Sequence, residues 1–217
     1  FLTEERYDGA VSLSDQNVKF DFRGGIDFTS DVPIFDFNAH LKEAKLNKLN
    51  LVKKDTSARL SFHLMSNFRG DNLDNASGII TMNQGELVRN NQKLNFENLQ
   101  IDAEHRADSH RIKLVSDYIY AELVGQYKST TVYQSLKNMA FSYLPVFVDQ
   151  KKDTVAVKAK NDFKLNINLN NTQKITDIFF PGLSVHDSSQ VKLQYNGNKK
   201  SFKFTAESRN FNYKNYN

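Results

Sequence analysis

The 217-residue chain contains no cysteine and no tryptophan, three prolines and nine glycines. Without cysteine there are no disulfides, no thiolate metal sites and no thiol chemistry. The absence also fits an oxidising compartment such as a bacterial periplasm. Pro33, Pro145 and Pro181 each fall where a turn or helix end is expected. No run of some 18 apolar residues is present, and no signal peptide is visible. Charge is nearly balanced, with a formal net charge of +4 and a pI of about 9.0. That is too mild an excess to define a nucleic-acid-binding protein.

Catalytic signatures are missing too. His40, His63, His105, His110 and His186 have no metal-ligand spacing, and there is no H-E-x-x-H, G-x-S-x-G, P-loop or dinucleotide fingerprint. His105 and His110 flank an expected turn at Ala107–Ser109, which brings them near one another. Gly24-Gly25 precedes no helix, so it is not a phosphate cradle. Asp71-Asn72-Leu73-Asp74-Asn75 has a calcium loop's composition but not its spacing, and a solvated loop is expected. Asn75-Ala76-Ser77 and Asn170-Asn171-Thr172 match the glycosylation pattern, which matters only in a eukaryotic secretory setting. The expectation is a non-enzyme with no cofactor and no metal.

What the chain has is alternation, with 17 Phe and 9 Tyr feeding it. Val18, Phe20, Phe22, Ile26 and Phe28 fall on even positions, with Gly24 in the one even slot between them. After a turn through Ser30 to Pro33, Phe35, Phe37, Ala39 and Leu41 fall on odd positions. Side chains alternate faces along a strand, so this is a long hairpin with one apolar and one polar face. The design recurs in Leu60, Phe62 and Leu64, then in Leu94 and Phe96, and after a change of phase in Ile101. That change predicts a bulge near Glu97–Asn98. Ile112 and Leu114, then Leu123, then Phe163, Leu165 and Ile167 continue the pattern. Leu193 leads to Asn196-Gly197, a hairpin signal, and Phe202 and Phe204 return from it. Gly24 and Gly125 each take an inward slot, where glycine permits a bend.

Two segments have helical spacing. Val132 to Leu144 ends at Pro145, and a short helix near 172–180, with Thr172 as expected N-cap, ends at Pro181-Gly182. Leu46 and Leu49 suit one helical turn or an anchored loop. The polar run Gln150–Asp153 divides the chain into a first β unit, 1–150, and the start of a second, 151–217. The chain begins at Phe1 and stops in strand-type sequence at Tyr213–Asn217, as expected of an internal segment of a longer protein.

The fold class expected is therefore mainly β, a long antiparallel, strongly curled sheet with one apolar inner face and two short helices. The curl is expected because roughly fourteen strands about 4.8 Å apart would span on the order of 65 Å if flat. Whether the apolar face is a closed core or an open groove is left undecided by periodicity. Lys158, Lys160, Lys164, Lys192, Lys199, Lys200 and Lys203 lie near Phe202 and Phe204. Lys and Phe at 199–204 mostly face opposite ways, so no stacking platform forms and no nucleic acid is expected.

The segments VKFDFRGGIDFTSDVPIFDFNAHLKEAKLNKLNL, GDNLDNASGIITMNQGEL, LQIDAEHRADSHRIKLVSDYIYAELVGQY and ITDIFFPGLSVHDSSQVKLQYNG resemble the TamB family of AsmA-like envelope proteins in its Bacteroidota form. The resemblance covers nearly the whole chain and rests on scattered apolar, Gly and Asp positions. It implies an internal fragment of the periplasmic β region, in a parent anchored in the bacterial inner membrane. It also implies a taco-shaped hydrophobic groove that carries phospholipid acyl chains between the membranes. An outer-membrane barrel of the TamA/BamA type would be met by parts of the parent absent here. Two alternatives stand beside lipid transport. One is a scaffold or chaperone in outer-membrane protein assembly and translocation. The other is a carbohydrate-binding or adhesin β domain using Tyr118, Tyr120, Tyr213 and Tyr216. The residues expected to line a lipid groove are the alternating apolar ones named above, from Val18 to Phe204.

Overall fold

A computed structural model describes residues 5–106, 109–132, 161–199 and 201–213. Thirteen strands run in chain order: β1 Arg6–Ser14, β2 Val18–Asp27, β3 Ile34–Lys45, β4 Arg59–Arg69, β5 Ser77–Arg89, β6 Gln92–Arg106, β7 Ser109–Ser116, β8 Ile119–Gln126, β9 Asp162–Leu169, β10 Leu183–Val185, β11 Ser189–Asn196, β12 Ser201–Glu207 and β13 Phe211–Tyr213. One helix, α1, spans Thr172–Phe179, and residues 129–132 are helical. Most of the expected helix over Val132–Leu144 lies outside the described residues.

The main sheet holds eleven strands in the order β1-β2-β3-β4-β5-β6-β7-β8-β9-β11-β12, and β10 pairs with β13 in a small second sheet. Every paired neighbour is antiparallel. The strand order is linear, so the sheet is open rather than a closed barrel. The expected boundary at 150/151 falls outside the described residues. The strands that flank it, β8 and β9, pair directly from Ile119↔Leu169 to Gln126↔Asp162.

Register holds one apolar face across the whole sheet. Tyr7, Ile26, Phe35, Phe68, Gly78, Ala103, Ile112, Leu123, Leu165, Leu193 and Phe204 form a single row, one residue per strand. A parallel row on the other face carries Asp8, Gly25, Asp36, Asn67, Ile79, Asp102, Lys113, Glu122, Asn166, Lys192 and Thr205. A one-residue slip would exchange the faces. Extra residues in the strands are therefore matched by bulges: register shifts occur at Lys19/Phe20, between Leu41 and Ala44, and between Ser61 and His63. The phase change expected at Glu97–Asn98 is present without a register break, because β5 changes phase opposite it. Gln84 takes φ 51° there, and the pairing passes from Asn83↔Asn98 to Gly85↔Phe96. The Asp117 carboxylate accepts the Glu97 N–H at 2.7 Å.

Two local expectations are corrected. The expected hairpin forms, but Asn196 belongs to β11, paired with Ser201, so the turn starts at Gly197 and includes residues 197–199 rather than being made by Asn196-Gly197. The Asn196 side-chain oxygen accepts the Lys199 N–H at 2.7 Å and supports this longer turn. Thr172 is the first helical residue, not the cap. Asn171 holds the cap position in a left-handed conformation without a side-chain bond. The capping acceptor comes from a later loop, where Asp187 Oδ1 accepts the Thr172 N–H at 2.8 Å. The Leu46–Asn50 segment is an anchored loop, tied by Leu46 N–H to the Ala58 carbonyl.

Gly24 has φ +132°, and a Cβ there would lie 2.3 Å from the Asp36 carbonyl oxygen. Gly125 repeats the geometry at φ +148°, 2.1 Å from the Asp162 oxygen. Each faces a phenylalanine across the ladder, Phe37 and Phe163 respectively. Gly24→Ala is expected to cost at least about 1–3 kcal/mol, from strained backbone and overlap with β3. Gly25→Ala, whose Cβ would sit 3.4 Å from its nearest neighbour, is expected to cost under about 1 kcal/mol. Urea unfolding of the two variants checks the contrast.

Candidate functional site

The apolar face is the candidate site. The row just described contributes Ile26, Phe35, Ile112, Leu123, Leu165, Leu193 and Phe204. The next row brings together Phe37, Ile101, Leu114 and Ile167. Phe22 and Leu64 share a third row through Ala39, and Phe20 and Phe62 a fourth through Leu41. Val18, Leu60 and Leu94 align through Ala44 and Leu87 at one end of the strands. At the other end Gly125, Phe163, Tyr195 and Phe202 align. Phe96 faces Gly85. Phe28 lies beyond β2, 54% exposed, with its ring edge-on to Phe35 at 5.9 Å.

Two covers sit on this face. At one end α1 places Ile175 and Ile178 over Leu94, Tyr118, Phe96 and Leu87. Leu94 is 0% exposed. At the other end Tyr127, Phe163 and Leu193 form a second buried cluster, packed by Val132, Leu123 and Tyr195. Leu94, Phe163 and Leu193, expected as groove lining, are thus enclosed by these covers. Outside these two clusters Phe20, Phe22, Phe37, Leu60, Phe62, Leu64, Ile101 and Leu114 are each half-buried. One side of each ring or chain packs on row neighbours, as Phe22 does on Phe37 at 5.1 Å. The other side is open.

The second cover is anchored by polar contacts that composition did not suggest. Asp74, in the loop expected to be merely solvated, accepts the Ser129 N–H at 2.6 Å and its hydroxyl at 3.1 Å. Asn161 Oδ1 accepts the Lys128 N–H at 3.0 Å. His105 and His110 do meet, with rings stacked at 4.7 Å and Nδ1 atoms 2.9 Å apart. Burial, then the neighbouring His105, holds His110 below the usual imidazole range. No group of three or more His, Asp or Glu able to hold a metal occurs among the described residues.

The opposite face is an ion-pair surface. Arg111 bridges Glu122 at 2.8 Å and Glu104 at 3.0 Å, and Lys42 meets Asp21 at 2.6 Å. The bond from Arg111 is the main cause holding the Glu122 carboxyl below its ordinary value. A hollow of about 780 Å³ on this face has Arg23, Gly25, Asp36 and Met65 among its lining residues. Lys203 lies on this side, opposite Gln194, while Phe202 and Phe204 lie on the apolar side. The tyrosines proposed as sugar contacts separate. Tyr118 is 4% exposed and donates to the Asn95 carbonyl, so it is unavailable to a glycan. Tyr120 donates to Glu122 at 3.1 Å. Tyr213 is exposed, and Tyr216 lies outside the described residues.

The chain thus presents an open, antiparallel sheet with one apolar face. Comparison with protein-family models, curated proteins and solved structures gives no match.

Tyr127 supplies a test of the second cover. Its hydroxyl is buried with no hydrogen-bond partner among the described residues, and burial pushes its pKa up to about 12. An unfolded tyrosine ionises near 10, so its contribution to stability is complete below about pH 10 and is lost as pH rises through about 12. Tyr127→Phe is expected to raise stability by about 1 kcal/mol at neutral pH and to shrink the loss between those limits. Urea midpoints across that range measure both effects.

Proposed function

We propose that the open apolar face carries lipid acyl chains along an envelope protein, moving phospholipid between two membranes. The observation supporting this most directly is the part of the face that lies outside the two buried clusters, chiefly on β2, β3 and β4. Its Phe, Leu and Ile side chains adjoin one another across neighbouring strands and remain half-buried. Moving an acyl CH₂ from water onto such a surface gains about 0.8 kcal/mol. Eleven strands at about 4.8 Å give a face on the order of 48 Å wide. One leaflet's acyl chain spans about 15 Å, half the hydrocarbon core. A chain on this surface therefore meets many equivalent positions and needs no polar anchor.

In this proposal the sheet curls into a taco-like trough with the apolar face inside. Gly24, Gly125 and the bulged register positions are the means of curling. The resemblance to TamB-type proteins supports the same reading, together with a periplasmic location, an inner-membrane anchor in the parent and a barrel partner at the outer membrane.

Native mass spectrometry of the purified chain is expected to show co-purified phospholipid. Phe62→Asp and Leu114→Asp, in the open rows, are expected to abolish photo-cross-linking to a diazirine acyl probe while leaving the β circular-dichroism spectrum unchanged. Equal cross-linking by a folded double variant would defeat the proposal.

A further inference from the structure

One polar pair on the apolar face is accounted for neither by packing nor by lipid. His105 of β6 and His110 of β7 are direct cross-strand partners, two residues beyond the pair Ala103 and Ile112. Both therefore project from the apolar face. They prolong the end row of Gly125, Phe163, Tyr195 and Phe202. Gly125, opposite His110, has no side chain to fill the flank of that ring. Tyr127 meets the His110 ring edge-on at 5.3 Å.

The ring geometry is specific. The ring centres are 4.7 Å apart and the planes differ by 24°. A plain face-to-face stack would leave the nitrogens about as far apart as the centres. Here the two Nδ1 atoms are 2.9 Å apart, so both nitrogens turn toward one another. Metal–imidazole bonds are about 2.0–2.1 Å long, and two of them at a right angle put their nitrogens about 2.9 Å apart. A tetrahedral ion would need about 3.3 Å. The centres of rings bound at a right angle stand about 4.5 Å apart, whereas a straight N–H···N bond of the same length would set them about 5.2 Å apart. The observed spacing is closer to the first.

We propose that His105 and His110 bind one divalent transition-metal ion of right-angle geometry, Cu²⁺ before Ni²⁺, through their two Nδ1 atoms. Square and octahedral coordination suit these ions, and Cu²⁺ binds nitrogen ligands the more tightly of the two. The hydrogen shared between the nitrogens gives way to the ion. Its ring takes a proton on Nε2 instead, so both imidazoles bind in the neutral form. Two protein nitrogens leave the remaining positions to water, which reaches them because His105 is exposed. Among the described residues, the charge acting on His110 from outside the pair is the Asp74 carboxylate, whose sign favours a cation. The bound ion ties β6 to β7 beside the loop that Asp74 fastens to Ser129. This site needs no lipid on the face, and lipid carriage needs no metal, so the two readings fail separately.

His40 and His63 supply an internal control. They are cross-strand partners on the opposite face, with ring centres 5.5 Å apart, and His63 Nε2 is bonded to Asn38 Oδ1 at 2.8 Å. Cu²⁺ titrated into the full 217-residue chain is expected to fill one site at micromolar concentration. Its electron paramagnetic resonance spectrum is expected to show two coupled nitrogens. His105→Gln, at an exposed position, is expected to weaken binding at least about ten-fold and to leave one coupled nitrogen. His63→Gln is expected to change neither result. The nitrogen count in the unmodified chain depends on no variant folding. A wild-type chain that takes up no copper, a single coupled nitrogen in its spectrum, or a His105→Gln chain that binds as the wild type does would each overturn the proposal.

Discussion

Everything in this molecule depends on keeping strand parity. Alternating side chains give a sheet two faces, and one unmatched residue would turn a strand's apolar set toward water. The chain contains such residues, in β3 before Ala44 and in β5 at Gln84. Each is absorbed where it occurs. β3 bulges against both its neighbours, and β5 bulges against β4 while β6 changes phase with it. The Asp117 carboxylate then bonds the backbone on the far side of that phase change. These irregularities lie in a band across neighbouring strands, so the apolar rows on either side of the band stay aligned.

Parity alone leaves a sheet with a wet face and a bare apolar face. The two covers divide the bare one into parts with different physical roles. Under α1 and beside residues 129–132 the side chains are enclosed, and these are the places where a lost methylene leaves a cavity. Their polar fastenings come from far along the chain, Asp187 to Thr172 and Asp74 to Ser129. Away from them the strands hold together through backbone ladders and cross-strand pairs worth a few tenths to about 1 kcal/mol each. That region keeps its fold without a second layer, so its side chains stay accessible without loosening the strands that carry them.

The alternation legible in the sequence corresponds to real strands because periodicity is a local property. The inward glycines were visible for the same reason, as gaps in a run of apolar residues. What each glycine faces was not visible, since Gly24 opposite Phe37 and Gly125 opposite Phe163 are facts of register. The displaced cap at Thr172 has the same origin: its acceptor lies fifteen residues on, and local capping rules favour the nearest Ser or Thr. At Asn196-Gly197 a strong two-residue turn signal lost to the pairing of Asn196 with Ser201, which continues the β9–β11–β12 ladder by one more rung. Tyr118 looked like a surface aromatic because nothing nearby in sequence announces that α1 will close over it. Leu94, Phe163 and Leu193 were indistinguishable from the open lining residues, because alternation marks the face and not its cover.

The distribution of exposure argues about what the face is for. Scattered single apolar residues on a surface need no explanation, and a contiguous apolar strip does. Here the open residues are not scattered. Phe20, Phe22, Phe62 and Leu64 adjoin one another by register, and all stay half-buried while the ends of the same face are enclosed. A chain shaped for stability alone would extend its covers across β2–β4, because each side chain fully buried there contributes about 1.5–3 kcal/mol. That strip stays open while Asp21, Lys42, Glu104, Arg111 and Glu122 form ion pairs across the other face. The conflict between local stability and exposure is where function is expected to lie. In this chain it falls on the hairpin of β2 and β3 and on the strand beside it.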